Sequence, residues 1–253
     1  MQNFRGTFVN KHRDAWVVVN LGNLENNINE IKKHVQSGGK TPKMLAVIKA
    51  DAYGHGSIMC APTLLACGIC YFGVASVDEA LELRQNKITA PILVLGSVPI
   101  WAYEVAIQNE IEVSIFTYEH LEAAKLISER LSGKKLKAHV KIDTGMNRIG
   151  INPKDALEFI NKAQKADYID LIGVFTHFAD IESDEITNKQ IENFKYVIDN
   201  IDRENLIIHC SNSAASLCYD ELKYDMVRLG IILYGLTPLS YDLEPKFALP
   251  NLA

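Results

Sequence analysis

From residue 16 to about residue 230 the chain alternates short, continuously apolar runs with longer stretches whose apolar positions recur every three or four residues. The short runs predict strands covered on both faces, and the long stretches predict amphipathic helices. Eight candidate strands fall at residues 44–48, 71–75, 92–95, 113–116, 137–142, 171–176, 206–210 and 226–229, after a further short strand expected at 16–20. Helical patterns cover 21–36, 77–85, 100–109, 118–131, 153–166 and 184–200, and 57–68 and 213–219 are further helical candidates. Strands separated by helices require right-handed crossovers and therefore a parallel sheet. Eight such units predict an α/β fold closed as a TIM-type (β/α)8 barrel. A doubly wound open sheet has the same periodicity and is the alternative.

Local signals agree with this division. Ser76 precedes Val77-Asp78-Glu79, a capping serine followed by an acidic first turn. Asn152-Pro153 sets an N-cap residue before a proline at the first helical position. No internal repeat or Ser/Gly-rich linker marks a boundary, so the expected organisation is a segment at 1–14, one barrel over 15–240 and a tail at 241–253. Pro238, Pro245 and Pro250 oppose a full helix after the eighth strand, which leaves the closing layer incomplete.

Composition narrows the partners. The 253 residues suit one α/β barrel as well as two small domains, and 48% hydrophobic with 23% charged residues is ordinary for a soluble globular protein. A net charge of −5 with scattered lysine and arginine offers no basic stripe, so nucleic acid is not an expected partner. The first residues lack the apolar core of a secretory leader and no window approaches a membrane span, which makes the cytoplasm the expected location. Five cysteines, an odd count, fit no disulfide-framework spacing, and the isolated CxxC at Cys67 and Cys70 reads as a helix-to-strand joint containing buried thiols and not as a metal site.

The candidate chemistry sits where barrels keep it, at the C-terminal strand ends. The first run passes through Ala46-Val47-Ile48 to Lys49, then to a turn with Gly54 and Gly56, with Ser57 as a candidate cap. Alone, Lys49 reads as a solvated loop residue. After the fifth strand, Gly145 and Gly150 frame a loop presenting Arg148, whose guanidinium fork suits a carboxylate; an ordinary surface arginine fits equally. His177 ends the sixth strand amid apolar residues, where a hydrogen-bonded core histidine is the common case. After the seventh, Asn212-Ser213 opens a small-residue helix whose backbone N–H groups and hydroxyl suit a phosphate. Arg228 lies inside the apolar eighth strand, where burial costs several kcal/mol unless it is paired, with Asp225 or Asp143 as ordinary partners.

Together these stretches resemble the alanine racemases, pyridoxal 5'-phosphate (PLP) enzymes built on a barrel. The likeness covers nearly the whole chain and is strongest at 44–56, 141–150, 173–179, 209–215 and 226–235. It implies PLP carried as a Schiff base on Lys49. Its phosphate would be held by Tyr53, Ser213 and the backbone of Gly230 and Ile231, with Asn212 in the same pocket. It implies His177 against the pyridine ring, Arg228 at the pyridine nitrogen with His209 supporting it, and Arg148 on the substrate carboxylate and the cofactor's phenolic oxygen. Lys141 matches a lysine carbamylated in many members, which orients that arginine; a plain Lys141 paired with Asp143 is the alternative. Lys49 and Arg148 become the expected catalytic residues for interconverting L- and D-alanine, a step that supplies peptidoglycan precursors. The family's second acid/base is a tyrosine from a C-terminal β domain acting across a head-to-tail homodimer, and neither Tyr234 nor Tyr241 matches it. The expectation is therefore a racemase barrel domain, homodimeric in full-length form and impaired in turnover alone. A single-domain PLP carrier barrel and a PLP-free Schiff-base aldolase using Lys49 are the alternatives.

Overall fold

The computed structural model describes residues 16–37 and 39–240, so the segments expected at 1–14 and 241–253 lie outside the described residues. Asn20 caps the first helix, α1 (Leu21–Gln36), by accepting the N–H groups of Gly22 and Asn23 at 2.9 and 3.3 Å. Leu24, Ile28, Ile31 and Val35 form its buried stripe. The expected strand at 16–20 is not formed. Trp16, Val17 and Val18 are exposed there, and among the described residues no strand lies beside this apolar run to offer it a ladder.

Eight strands follow: β1 (Lys43–Val47), β2 (Tyr71–Val74), β3 (Ile92–Ser97), β4 (Glu112–Ile115), β5 (Leu136–Lys141), β6 (Ile169–Phe175), β7 (Ile207–His209) and β8 (Met226–Leu229). Every pairing is parallel, in the order β7-β6-β5-β4-β3-β2-β1-β8. The ring is completed by backbone bonds from Asp225 N to Ile208 O and from Arg228 N to Ser211 O, at 3.0 and 2.9 Å. This is the (β/α)8 barrel and not the open sheet. After β1 the chain makes the left-handed turn α2 (Lys49–Gly54), and the outer layer holds α3 (Ser57–Ala66), α4 (Val77–Gln85), α5 (Tyr103–Gln108), α6 (Tyr118–Arg130), α7 (Pro153–Lys165), α8 (Asp184–Ile198) and α9 (Ser213–Cys218). Ser76 and Asn152 cap α4 and α7 as their positions imply. The helix expected at 100–109 is split, because Pro99 feeds a 3-10 turn at Ile100–Ala102 ahead of α5. After β8 there is only a 3-10 turn, Ile231–Tyr234, before irregular chain to residue 240.

Because strand side chains alternate, each strand sends every second residue inward. On β8, β1, β2 and β3 those residues are Met226, Leu45, Val47, Tyr71 and Leu93, which pack as one cluster inside the barrel. On β4, β5, β7 and β8 the inward positions include Glu112, His139, Lys141, His209 and Arg228, all buried. One side of the interior is apolar and the other carries a polar line. No helix among the described residues is long and apolar enough to cross a membrane.

Candidate active site

Lys49 stands on an unusual piece of backbone. Ala50, Asp51, Ala52 and Tyr53 all have φ near +50°, a left-handed turn made entirely of residues with a Cβ. Each such residue costs roughly 1–2 kcal/mol, so the turn needs external support. Glu79 of α4 supplies it, accepting the N–H of Ala50 at 2.8 Å and that of Ala75 at 2.7 Å. Asp51 accepts the N–H of Ser57 at 2.7 Å and so caps α3 from outside. Ser57 is therefore the first residue of that helix and not its cap. Gly54 and Gly56, with φ of +86° and +87°, let the chain leave the turn. The sequence marks Glu79 only as part of the acidic first turn after Ser76, and its support of the Lys49 turn has no local signal beyond the Ser76-x-x-Glu79 spacing of a side chain that reaches back toward its helix start.

The turn aims Lys49 and Tyr53 into a cleft of about 630 Å³ at the C-terminal face of the barrel. Arg148, Lys141, His177, Asn212, Ser213, Arg228, Gly230 and Ile231 line the same cleft. Ten of the eleven residues singled out from sequence thus converge on one site, and His209 lies directly beneath it. At one end, Ser213 Oγ accepts the N–H of Gly230 at 2.9 Å. A Cβ at Gly230 would stand 3.0 Å from Tyr53 Oη and 3.7 Å from Ser213 Oγ. The missing side chain keeps open the space between two hydroxyls. The Asn212 side chain turns to α9, where it caps Ala215 N at 3.0 Å.

Arg228 makes no contact with Asp225 or Asp143. Its guanidinium donates to His209 Nδ1 at 3.0 Å, Thr176 O at 2.8 Å, Cys210 O at 3.1 Å and His177 Nδ1 at 3.4 Å. Arginine has no acceptor, so both imidazoles must present a lone pair. Phe175 carries Arg228 and Lys141 over its ring, each 5.4 Å from the centroid, and stacks on His209 at 4.7 Å. Asp143 does not pair with Lys141 either: its carboxylate accepts Gly145 N and Asn147 N and shapes the Arg148 loop, while Lys141 Nζ donates to Ile142 O at 2.8 Å. Arg148 itself is exposed at the rim.

The concentration of cations sets the protonation states. Burial, with Arg228 and Arg148 nearby, pulls the Lys141 ammonium down to about 7, and burial brings Arg228 to about 10. His177 and His209 are held well below the usual imidazole range by burial and by Arg228, so both are neutral near pH 7. The consequence for stability has a definite sign. Between pH 7 and the onset of thiol ionisation the unfolded chain keeps the Lys141 proton and the folded chain releases it, so stability rises with pH. Thermal unfolding in carbonate-free buffer at pH 7.0 and about pH 7.8 is expected to show that rise, and Lys141→Met is expected to flatten it. Equal slopes in the two proteins would mean that Lys141 is not the group responsible.

Fold and cleft define a (β/α)8-barrel protein with a lysine-bearing, cationic active-site cleft at the strand ends. The profile described as "Alanine racemase, N-terminal domain" matches residues 19–238. Alanine racemase 1 of Oceanobacillus iheyensis is 40% identical over 236 residues, 91% of this chain and 62% of the relative. The alanine racemase of Clostridium difficile 630 in complex with cycloserine superposes with a TM-score of 0.84 at 42% identity, covering 91% of this chain and 64% of that one. The Bacillus anthracis alanine racemase with bound L-Ala-P gives 0.84 at 35% identity, covering 94% and 62%. The chain belongs to the alanine racemase family. It spans about 60% of the length of the curated relatives it matches, at 62%, 59% and 64% for three of them.

Proposed function

We propose that the cleft holds PLP on Lys49 and that the protein to which this barrel belongs interconverts L- and D-alanine. The single observation that carries the reading is the convergence of Lys49, Arg228 and the Tyr53–Ser213–Gly230 cradle in one cleft. The residues fit the cofactor. Two hydroxyls converge on a glycine whose missing side chain leaves the approach between them open, an amine stands on the neighbouring turn, and a buried guanidinium faces the cleft. When bound, PLP supplies delocalisation of the electron pair left at Cα after the α-proton is removed.

The chain's own residues do the rest. Lys49 anchors the cofactor and, once its amine is free, takes the α-proton as general base. Arg228 remains protonated near pH 7 and offers only donors, so it would hold a pyridine nitrogen as an unprotonated acceptor. His177, kept neutral, offers an uncharged face to the ring. Arg148 binds the substrate carboxylate with its fork. Carbamylation of Lys141 belongs to the same proposal. A neutral amine attacks carbon dioxide, an N–C bond forms and a proton leaves, which turns a disfavoured cation among arginines into an anion that they favour. In 13C-bicarbonate one carbamate resonance is expected, absent in Lys141→Met; a spectrum without it removes this element. The homodimer and a cytoplasmic location belong to the proposal for the whole protein.

Proton removal is tested by 1H NMR of alanine in D2O with the PLP-loaded chain. The expected result is loss of the α-proton signal from one enantiomer. Intact signals from both would overturn the racemase reading and leave the carrier reading. A PLP-free aldolase would instead form borohydride-trapped adducts with carbonyl compounds at Lys49 and give no visible cofactor band.

A further inference from the structure

The buried polar line inside the barrel continues past His209. His209 Nε2 lies 3.0 Å from His139 Nδ1, His139 Nε2 lies 2.9 Å from Glu112 Oε2, and Tyr71 Oη donates to both Glu112 oxygens at 2.9 Å. All five side chains, Arg228 included, are buried. They come from β8, β7, β5, β4 and β2, and run from the cleft to the opposite end of the barrel, where Glu112 and Tyr71 begin their strands.

The direction of every bond can be worked out from Arg228. It only donates, so His209 Nδ1 accepts and the His209 proton sits on Nε2. That N–H donates to His139 Nδ1, so the His139 proton also sits on Nε2 and points at the Glu112 carboxylate. One charged group at each end and two neutral imidazoles between them satisfy every donor and acceptor along the line. A partly satisfied line would be costly in this setting. The neighbours leave no slack. A Cβ at Gly173 would lie 2.7 Å from His139 Nδ1, and Phe175 stacks on His209 with ring planes 2° apart. Among the described residues Arg228 touches no carboxylate, and Glu112, although near enough to Arg84 to favour its charge, makes no ion pair with a lysine or arginine.

We infer that Glu112 and His139 are positioning residues for the cofactor contact of Arg228: Glu112 is its buried counter-charge, delivered through His139 and His209, and the line fixes the plane of the guanidinium. This rests on the proposed PLP site. Neither residue touches the cleft, so any effect on bound cofactor must pass along the line.

Two measurements test it. In two-bond 1H–15N spectra of the cofactor-free, histidine-labelled full chain, assigned with single His→Gln variants, His139 and His209 are expected neutral and protonated on Nε2 at pH 7. An Nδ1–H tautomer or a charged ring at either position overturns the proposal. In the PLP-loaded chain, Glu112→Gln keeps the hydrogen bonds and removes the charge. The absorption maximum of bound cofactor is expected to shift by several nanometres, and to show no such shift when Glu112→Gln is added to His209→Leu. A shift that persists in the His209→Leu background, or no shift in either, overturns the proposal. A chain that shows the expected tautomers and takes up no PLP overturns the proposed function and not the line.

Discussion

Lys49→Ala is expected to leave a folded barrel without the visible absorption band proposed for lysine-bound PLP, and α-proton exchange is expected to fall by about 10³-fold, within the usual range for loss of a positioned base. The fold survives because the side chain is half-buried while the turn beneath it is held by backbone groups: Ala50 N to Glu79, Ala52 N to Ile48 O and Gly56 N to Asp51 O. Its one ring contact, with Tyr53 at 5.9 Å, sits at the outer limit of a cation–π interaction. Unfolding free energy is therefore expected to change by no more than about 0.5 kcal/mol. Binding without the covalent bond should persist weakly through the Tyr53–Ser213–Gly230 cradle. Equilibrium dialysis would then find PLP retained better than pyridoxal. Equal retention of the two would mean that the cradle does not take the phosphate.

Gly150→Ala is expected to have a large effect on stability. A Cβ there would stand 2.5 Å from Asp143 N and 2.8 Å from Ile142 C, at a φ of +131° that suits only glycine. Backbone on the far side cannot yield, because Asp143 N donates to Ile151 O and Ile151 N to Lys141 O, both at 2.9 Å. Overpacking and backbone strain together cost about 3 kcal/mol, which at roughly 2–4 °C per kcal/mol lowers the unfolding midpoint by about 6–12 °C. The same closure presents Arg148, so the carboxylate capture proposed for it is expected to weaken as well. A midpoint within about 1 °C of the unsubstituted chain would mean that the loop is not pinned at residue 150.

Apolar runs and helical spacing carried the barrel because each strand is covered by helices on its outer side, and this burial leaves a trace at every second position. The errors lie where the cause is not local. Val17 and Val18 look like strand residues, and whether a strand forms depends on a neighbour that local pattern cannot supply. The left-handed turn at Ala50 to Tyr53 contradicts the preference of each of its residues and depends on Glu79, 29 positions away from Ala50. Arg228 was legible as a residue that must be paired, but its partners were not. They are two carbonyls and two imidazoles, where a carboxylate on Asp225 or Asp143 had been the ordinary expectation. Glu112 and His139 do carry a signal. Glu112 alternates with Ser114, and His139 with Lys141, so polar residues occupy the inward positions of two otherwise apolar strands. That alternation distinguishes the inside of the barrel from its helix-covered face.

The central claim is that this cleft takes PLP on Lys49, and the most direct measurement maps the lysines labelled when the chain is mixed with PLP, reduced with borohydride and digested for mass spectrometry. The expected result is a single pyridoxyl group, on Lys49. Label on Lys141, whose ammonium burial pulls down to about 7, or label scattered over surface lysines, would contradict it.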